Sequence, residues 1–324
     1  MKKTTYIFLF AITLSLFVSL AFVFKKDNVP SNDIEEVTQA DGIMVARLSQ
    51  GDTANFAAIR AEFKKRNQGY DLQYYHQVKQ VPATNDYRLA FIQTGGGTAE
   101  LSQQDTSKVS VGDIVYLDKN VAMETDSLLD VLVFTVPEPL PQEIPAFIRP
   151  DWDSNITDVP GGCATENNAY RRILLTWQGK VGHYLYHALN AHRVRIMDSF
   201  THYHPENGGF DEFYLVQMVM PKAKLITSDQ VDLITQPEKV QHEHTEGIID
   251  ETQLQVGDLV YLPRGVAHRG LGGVLAQVIT VPGFVPGSEI GLDHHLRAIN
   301  ENLGLEGKDK LPYNELASRS AVIK

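Results

Sequence analysis

One block of sequence occurs twice in this chain, and that repeat restricts the fold more than any other feature. Val111-Gly112-Asp113-Ile114-Val115-Tyr116-Leu117 returns 145 residues later as Val256-Gly257-Asp258-Leu259-Val260-Tyr261-Leu262. Both copies continue through a turn to Val-Ala, at Val121-Ala122 and Val266-Ala267. Each then enters an apolar stretch ending in Val-Pro, Val131 to Pro137 and Val274 to Pro282. Short apolar runs separated by turn residues read as strands. Two copies at this distance read as two similar all-β barrels, and 324 residues leave room for both.

The copies differ in chemistry. The second runs on through Pro263 and Gly265 to His268, and ahead of it lie His202, His204 and Glu212. Side chains two apart on a strand share a face, so His202 and His204 are expected to aim at one point. Glu212 opens the next apolar run, and His268 completes the set from a third strand. Imidazole with carboxylate suits Fe, Mn, Ni, Zn or Cu, and four protein ligands leave two positions open on a six-coordinate metal. The first copy has Met123 where the second has His268, and Asp118 and Asn120 where it has Pro263 and Gly265. His76 stands alone there, so the N-terminal barrel is expected to hold no metal.

These segments resemble the two motifs of the cupin superfamily. The second motif, Gly257 through Pro263 and Gly265 to His268, is matched in full. The first departs twice: seven residues separate His204 from Glu212, and Ile196 replaces the glycine six positions before His202. The longer loop leaves Glu206 and Asp211 as alternatives to Glu212. The resemblance implies a bicupin, a tandem pair of double-stranded β-helix (jelly-roll) barrels with a few flanking helices. It also implies one divalent metal, Fe first, on His202, His204, Glu212 and His268. The expected activity is that of a metal-dependent oxidoreductase, dioxygenase-like, acting on a small organic substrate. Under Mn, oxalate-type chemistry would need an acid or base, for which Glu206 and Asp211 on the lengthened loop are the candidates. Arg264 and Arg269, flanking the motif turn and histidine, are the first candidates to orient an anion. A metal- or sugar-binding bicupin without turnover, and a Zn- or Ni-dependent isomerase or lyase, are the other readings; fold and metal set do not choose among them.

The expected divisions are an N-terminal barrel over 40–140, a Pro-rich connection over 141–165, the metal-binding barrel over 166–287, and a helix and tail over 288–324. Helices are expected at 53–66 and from about 289 to 302, the latter stopped by Gly304. Residues 1–26 are read as a signal peptide or signal anchor, with Lys2 and Lys3 before an uncharged stretch from Thr4 to Phe24. Ser19-Leu20-Ala21 offers a cleavage site, and the expected location is periplasmic or extracellular, with membrane contact only through this segment. A single cysteine, Cys163, excludes an internal disulfide. A net charge of -11 argues against a nucleic-acid partner. Homo-oligomerisation is left open.

Other polar residues are expected to be structural. His242-Glu243-His244 reads as a solvated loop, and His294 and His295 as helix surface. His183, His187 and His192 are expected to line a barrel wall or an interface. Arg193 and Arg195 face outward unless a bulge intervenes. Tyr203, Phe213, Tyr214 and Tyr261 divide between a pocket wall and the intersheet core.

Overall fold

The computed structural model describes residues 42–324, apart from 103–104, 160 and 162–169. The proposed signal or anchor segment and Cys163 lie outside the described residues. Among those described, no helix is long and apolar enough to cross a membrane.

Two antiparallel sheets follow from the two copies of the repeat. The chain starts with β1 (Met44–Arg47) and α1 (Thr53–Arg66), the helix opened by the Asp52 carboxylate, which accepts from the Asn55 amide. The first sheet holds β2 (Asp71–Val81), β3 (Tyr87–Thr94), β4 (Gly96–Leu101), β5 (Thr106–Ser110), β6 (Ile114–Leu117), β7 (Met123–Val136) and β8 (Phe147–Ile148). The second holds β9 (Arg171–Leu175), β10 (Asn190–Asp198), β11 (His202–Tyr203), β12 (Asp211–Val219) and β13 (Lys224–Ser228). After the short α2 (Val231–Ile234) it continues with β14 (Asp250–Gln253), β15 (Asp258–Leu262), β16 (Ala267–Val281) and β17 (Ile290–Gly291), and α3 (Asp293–Leu303) follows.

The strand orders match. In the first sheet, β3 lies between β6 and β7, with β2 and β4 on β7 and β5 on β4. In the second, β12 lies between β15 and β16, with β10 and β13 on β16 and β14 on β13. The repeated block thus forms β6 and β15, and the stretches ending in Val-Pro belong to the long strands β7 and β16. Gly112 and Gly257 both turn into the block with positive φ (97° and 87°). A Cβ on Gly257 would stand 2.5 Å from that of Ser49, so the turn also needs glycine for space.

Three apolar clusters follow from period-2 alternation. One fills the first barrel around Ile92, Val115 and Val131, and another fills the second around Tyr214, Val260 and Val278. The third lies between the sheets, where Phe63 of α1 meets Phe134, Phe213 and Tyr261 edge-on at centroid distances of 5.1–6.2 Å. Phe213 and Tyr261 therefore belong to the intersheet core, Tyr214 to the barrel interior, and Tyr203 packs with α3.

The strands cross the sequence boundaries at three places. β1, from the N-terminal range, pairs with β15 of the second sheet over Met44↔Tyr261 to Arg47↔Asp258. β8, from the connection, pairs with β6. β17, from the expected tail, pairs with β11. Each covers a strand that would otherwise present unpaired backbone groups. A sheet edge is invisible in local sequence, which is why two- and four-residue strands escaped the sequence reading.

Candidate metal centre

Strand pairing brings the motif histidines together. His202 of β11 lies opposite His268 of β16, and one residue beyond β11 the carbonyl of His204 accepts from the Gly265 amide at 2.7 Å. The turn of the second motif is thereby fastened to the end of the first. Gly265 takes a positive φ of 91° there, and a Cβ would stand 2.6 Å from the Glu206 carboxylate. α3 holds the approach to β11: its first residue, buried Asp293, accepts from the Thr201 amide and hydroxyl at 2.8 and 2.6 Å.

His202, His204 and His268 each offer a ring nitrogen within 4.8 Å of the others, and all three are buried. Glu212 enters from β12, its carboxylate 3.8 Å from His204 Nε2 and 3.6 Å from His268 Nε2. His202 Nδ1 lies 3.1 Å from the Phe200 carbonyl and His268 Nδ1 3.3 Å from the Val266 carbonyl. A carbonyl can only accept, so in each pair Nδ1 is the donor, which leaves Nε2 turned toward the other ligands. Desolvation, reinforced by the neighbouring imidazoles, pushes His202 and His204 well below the ordinary histidine range, so both are neutral.

The Nε2 atoms of all three histidines and Oε1 of Glu212 are buried without a hydrogen-bond partner. Four converging acceptors left unpaired in an apolar interior would be costly. A divalent cation resolves that cost, and the donor set of three imidazoles and one carboxylate fits a transition metal. Phe200 stacks on His202 at 4.4 Å and Phe210 packs on His204 at 3.9 Å, fixing the rings and excluding water from their faces.

The other expected site residues gather elsewhere. Asp211, adjacent to Glu212, points to the opposite face of β12. Its buried carboxylate accepts from Asn67 Nδ2, Tyr261 Oη and the Arg264 amide and Nε at 2.5–2.9 Å. Glu206 pairs with Arg66 at 2.8 Å, and Arg264 donates back to the Arg66 carbonyl at 3.0 Å. Glu206, Asp211 and Arg264 thus clamp the end of α1 onto the motif loop. Arg269 is held by Asp198 at 2.6 Å. Arg193 is buried against Gln217 and Asp151, not outward. His242–His244 is an exposed single turn of 3-10 helix, as a solvated loop would be.

A cavity of about 500 Å³ opens beside the metal ligands, and Glu212 forms part of its wall. Around it stand His192, Thr280, Glu289, Arg171 and Lys324. Desolvation, with Glu212 adding to it, pushes the Glu289 carboxyl up to about 7. Desolvation and the Arg171 charge push His192 down, and its Nε2 has no hydrogen-bond partner. His192 was visible as an inward position alternating with Val194 and Ile196. Glu289 had no local signal, because it reaches the cavity through the long-range pairing of β17 and the tail.

No family model and no curated protein matches this sequence. Among solved structures, a cupin 2 conserved barrel domain protein from Leptotrichia buccalis is similar at 14% identity, over 65% of this chain and 82% of that one, with a TM-score of 0.39. An oxalate decarboxylase of Bacillus subtilis with Mn(II) centres is similar at 12% identity, over 74% and 75%, with a TM-score of 0.43. AerE from Microcystis aeruginosa follows at 9% identity, over 65% and 86%, with a TM-score of 0.41. On its own strand order the chain is a tandem pair of all-β barrels of matching topology, and among the described residues the histidine set that could hold a metal lies in the second.

Proposed function

We propose that the protein is a metal-dependent enzyme, an oxidoreductase of dioxygenase type, that acts on a small organic substrate in the second barrel. The observation that carries this reading is the cavity beside the buried ligand set: Glu212 belongs to both, which sets the cavity next to the metal position. A purely structural metal site is closed on all sides. His202, His204, Glu212 and His268 would hold the metal, Fe first and Mn next. Bound there, it would supply Lewis acidity and one-electron chemistry.

The remaining work falls to the chain itself. The Phe200 and Val266 carbonyls fix two imidazoles through Nδ1, which keeps Nε2 aimed inward. Phe200 and Phe210 keep water from the rings. Glu289, with a pKa near neutrality and a place on the cavity wall, is suited to take or give a proton to the substrate. His192 is a neutral imidazole on the same wall. The proposed segment at 1–26 would export the protein, as a cleaved signal or an anchor.

Elemental analysis and oxygen uptake test the reading together. About one Fe or Mn per chain, with oxygen consumption lost in Glu289→Gln at unchanged metal content, is the expected result. Bound metal without turnover of any organic substrate would leave a binding protein instead.

A further inference from the structure

We propose that Arg171 and Lys324 form an anion anchor in the cavity beside Glu212, and that the molecule they hold is an organic carboxylate with a flat apolar body. This rests on the reading of that cavity as the substrate chamber.

Charge is the first observation. The chain as a whole is strongly acidic, at -11. The cavity reverses that balance: Arg171, Lys180 and Lys324 face Glu212 and Glu289, and a cation held by Glu212 would add to the positive side. Such a pocket in an acidic protein favours an anion and disfavours a cation.

The placement of the two cations is the second. Arg171 opens β9 and is steadied by the Val159 carbonyl, which accepts from Nη1 at 3.4 Å. Lys324 is brought in by backbone pairing: its amide donates to the Glu289 carbonyl at 3.0 Å, and its carbonyl accepts from the Glu289 amide at 3.1 Å. Its ammonium sits 4.2 Å from the centre of the Phe200 ring, the ring that stacks on His202. Lys324 therefore lies one aromatic ring from the metal set. Among the described residues its ammonium sits in no close ion pair, and the Glu289 carboxyl interacts with it only at longer range, so its charge is available to a ligand.

The rest of the wall sets the ligand's shape. Ile173 and Leu175 of β9 are apolar and largely buried, and Trp177 stacks on Phe284 at 5.4 Å with 17° between the rings. Asn190 fixes that stack, its side-chain oxygen accepting from the Phe284 amide at 2.5 Å. A cavity of about 500 Å³ with this lining is far larger than a two-carbon acid needs.

Titration calorimetry on the full chain tests the anchor with three probes: phenylacetate, its uncharged amide, and oxalate. Each is run on protein as purified and after chelation, with metal measured in the same samples. Phenylacetate is expected to bind about tenfold more tightly than the amide. Lys324→Gln and Arg171→Gln are each expected to weaken it about five- to tenfold at unchanged metal content. Lys324 is exposed, so its variant keeps the fold even if Arg171→Gln does not. Equal binding of acid and amide, or no effect of Lys324→Gln, would overturn the anchor. Oxalate binding without phenylacetate binding would overturn the apolar body. Failure of the enzymatic reading would show separately, as absent metal or turnover, while the binding difference persists in chelated protein.

Discussion

In the first barrel Arg88 stands where the second has Glu212. Each pairs across its sheet with the last leucine of the repeated block, Leu117 or Leu262, and with a threonine of the long strand, Thr135 or Thr280. Met123 likewise holds the place of His268, and both are buried. Arg88 donates to the carbonyls of Pro82 and Val121 at 2.7 and 2.8 Å, so its charge is spent on the barrel's own backbone. The second barrel does the reverse and leaves four buried acceptors without a partner. The turn survives this divergence: Asn120 takes a positive φ of 63°, as Gly265 does at 91°. One framework thus serves two purposes, and the choice lies in a few inward side chains. A barrel whose inward charged group is turned onto its own backbone is a scaffold; one that leaves lone pairs converging is a site.

The sharpest way to break this comparison is Arg88→Ala. It would strand two carbonyls and open a cavity, so a loss of about 3 kcal/mol is expected by chemical denaturation, with metal content unchanged. A parallel loss of metal would show that the barrels are not separate in role.

Glu289→Gln comes next, with a pH-dependent effect. The folded pKa of Glu289, about 7, lies above the 4.5 of an unperturbed glutamate, so the folded state holds this proton more tightly. Its contribution to stability is full below about pH 4.5 and is lost as pH rises through 7. The glutamine keeps the neutral form, so metal-free E289Q is expected to gain about 2 kcal/mol on wild type between pH 5 and 8. Parallel pH profiles for the two proteins would remove Glu289 as a proton carrier.

A smaller effect is expected in the scaffold half. Burial alone would raise the Asp71 carboxyl, but hydrogen bonds from Arg60, Lys64 and the Leu72 amide outweigh it and hold it at about 2. Its stabilisation is present above pH 4 and is lost as pH falls through 2. Asp71→Asn should cost about 1 kcal/mol at pH 7, after allowance for its exposure to solvent, and nothing near pH 1.5. A cost that persists in acid would point to packing instead of charge.

What the sequence revealed divides along physical lines. The repeated block exposed both barrels, because period-2 alternation and a turn glycine are local. His202 and His204 were expected to converge because a short spacing on a strand fixes a face, while Glu212 and His268 came from the resemblance of the two motifs; the structure brings the three histidines together. The cavity was not legible. Glu289 and Lys324 face each other only because the tail pairs with the segment before β17, and no local pattern encodes that. Asp211 shows the opposite case: one position from Glu212, it belongs to another face and to a clamp with Arg264 and α1. The edge strands β1 and β8 were missed for the same reason as the cavity.

The central claim is that the second barrel binds a metal through residues the first has replaced, and His268→Met tests it most directly. That substitution installs the first barrel's own residue, one known to fit the equivalent buried place. Elemental analysis of wild type and H268M, with circular dichroism of both, should give about one transition metal per chain in the wild type. The variant should hold almost none, with the fold retained. Equal metal in the two proteins would contradict the account.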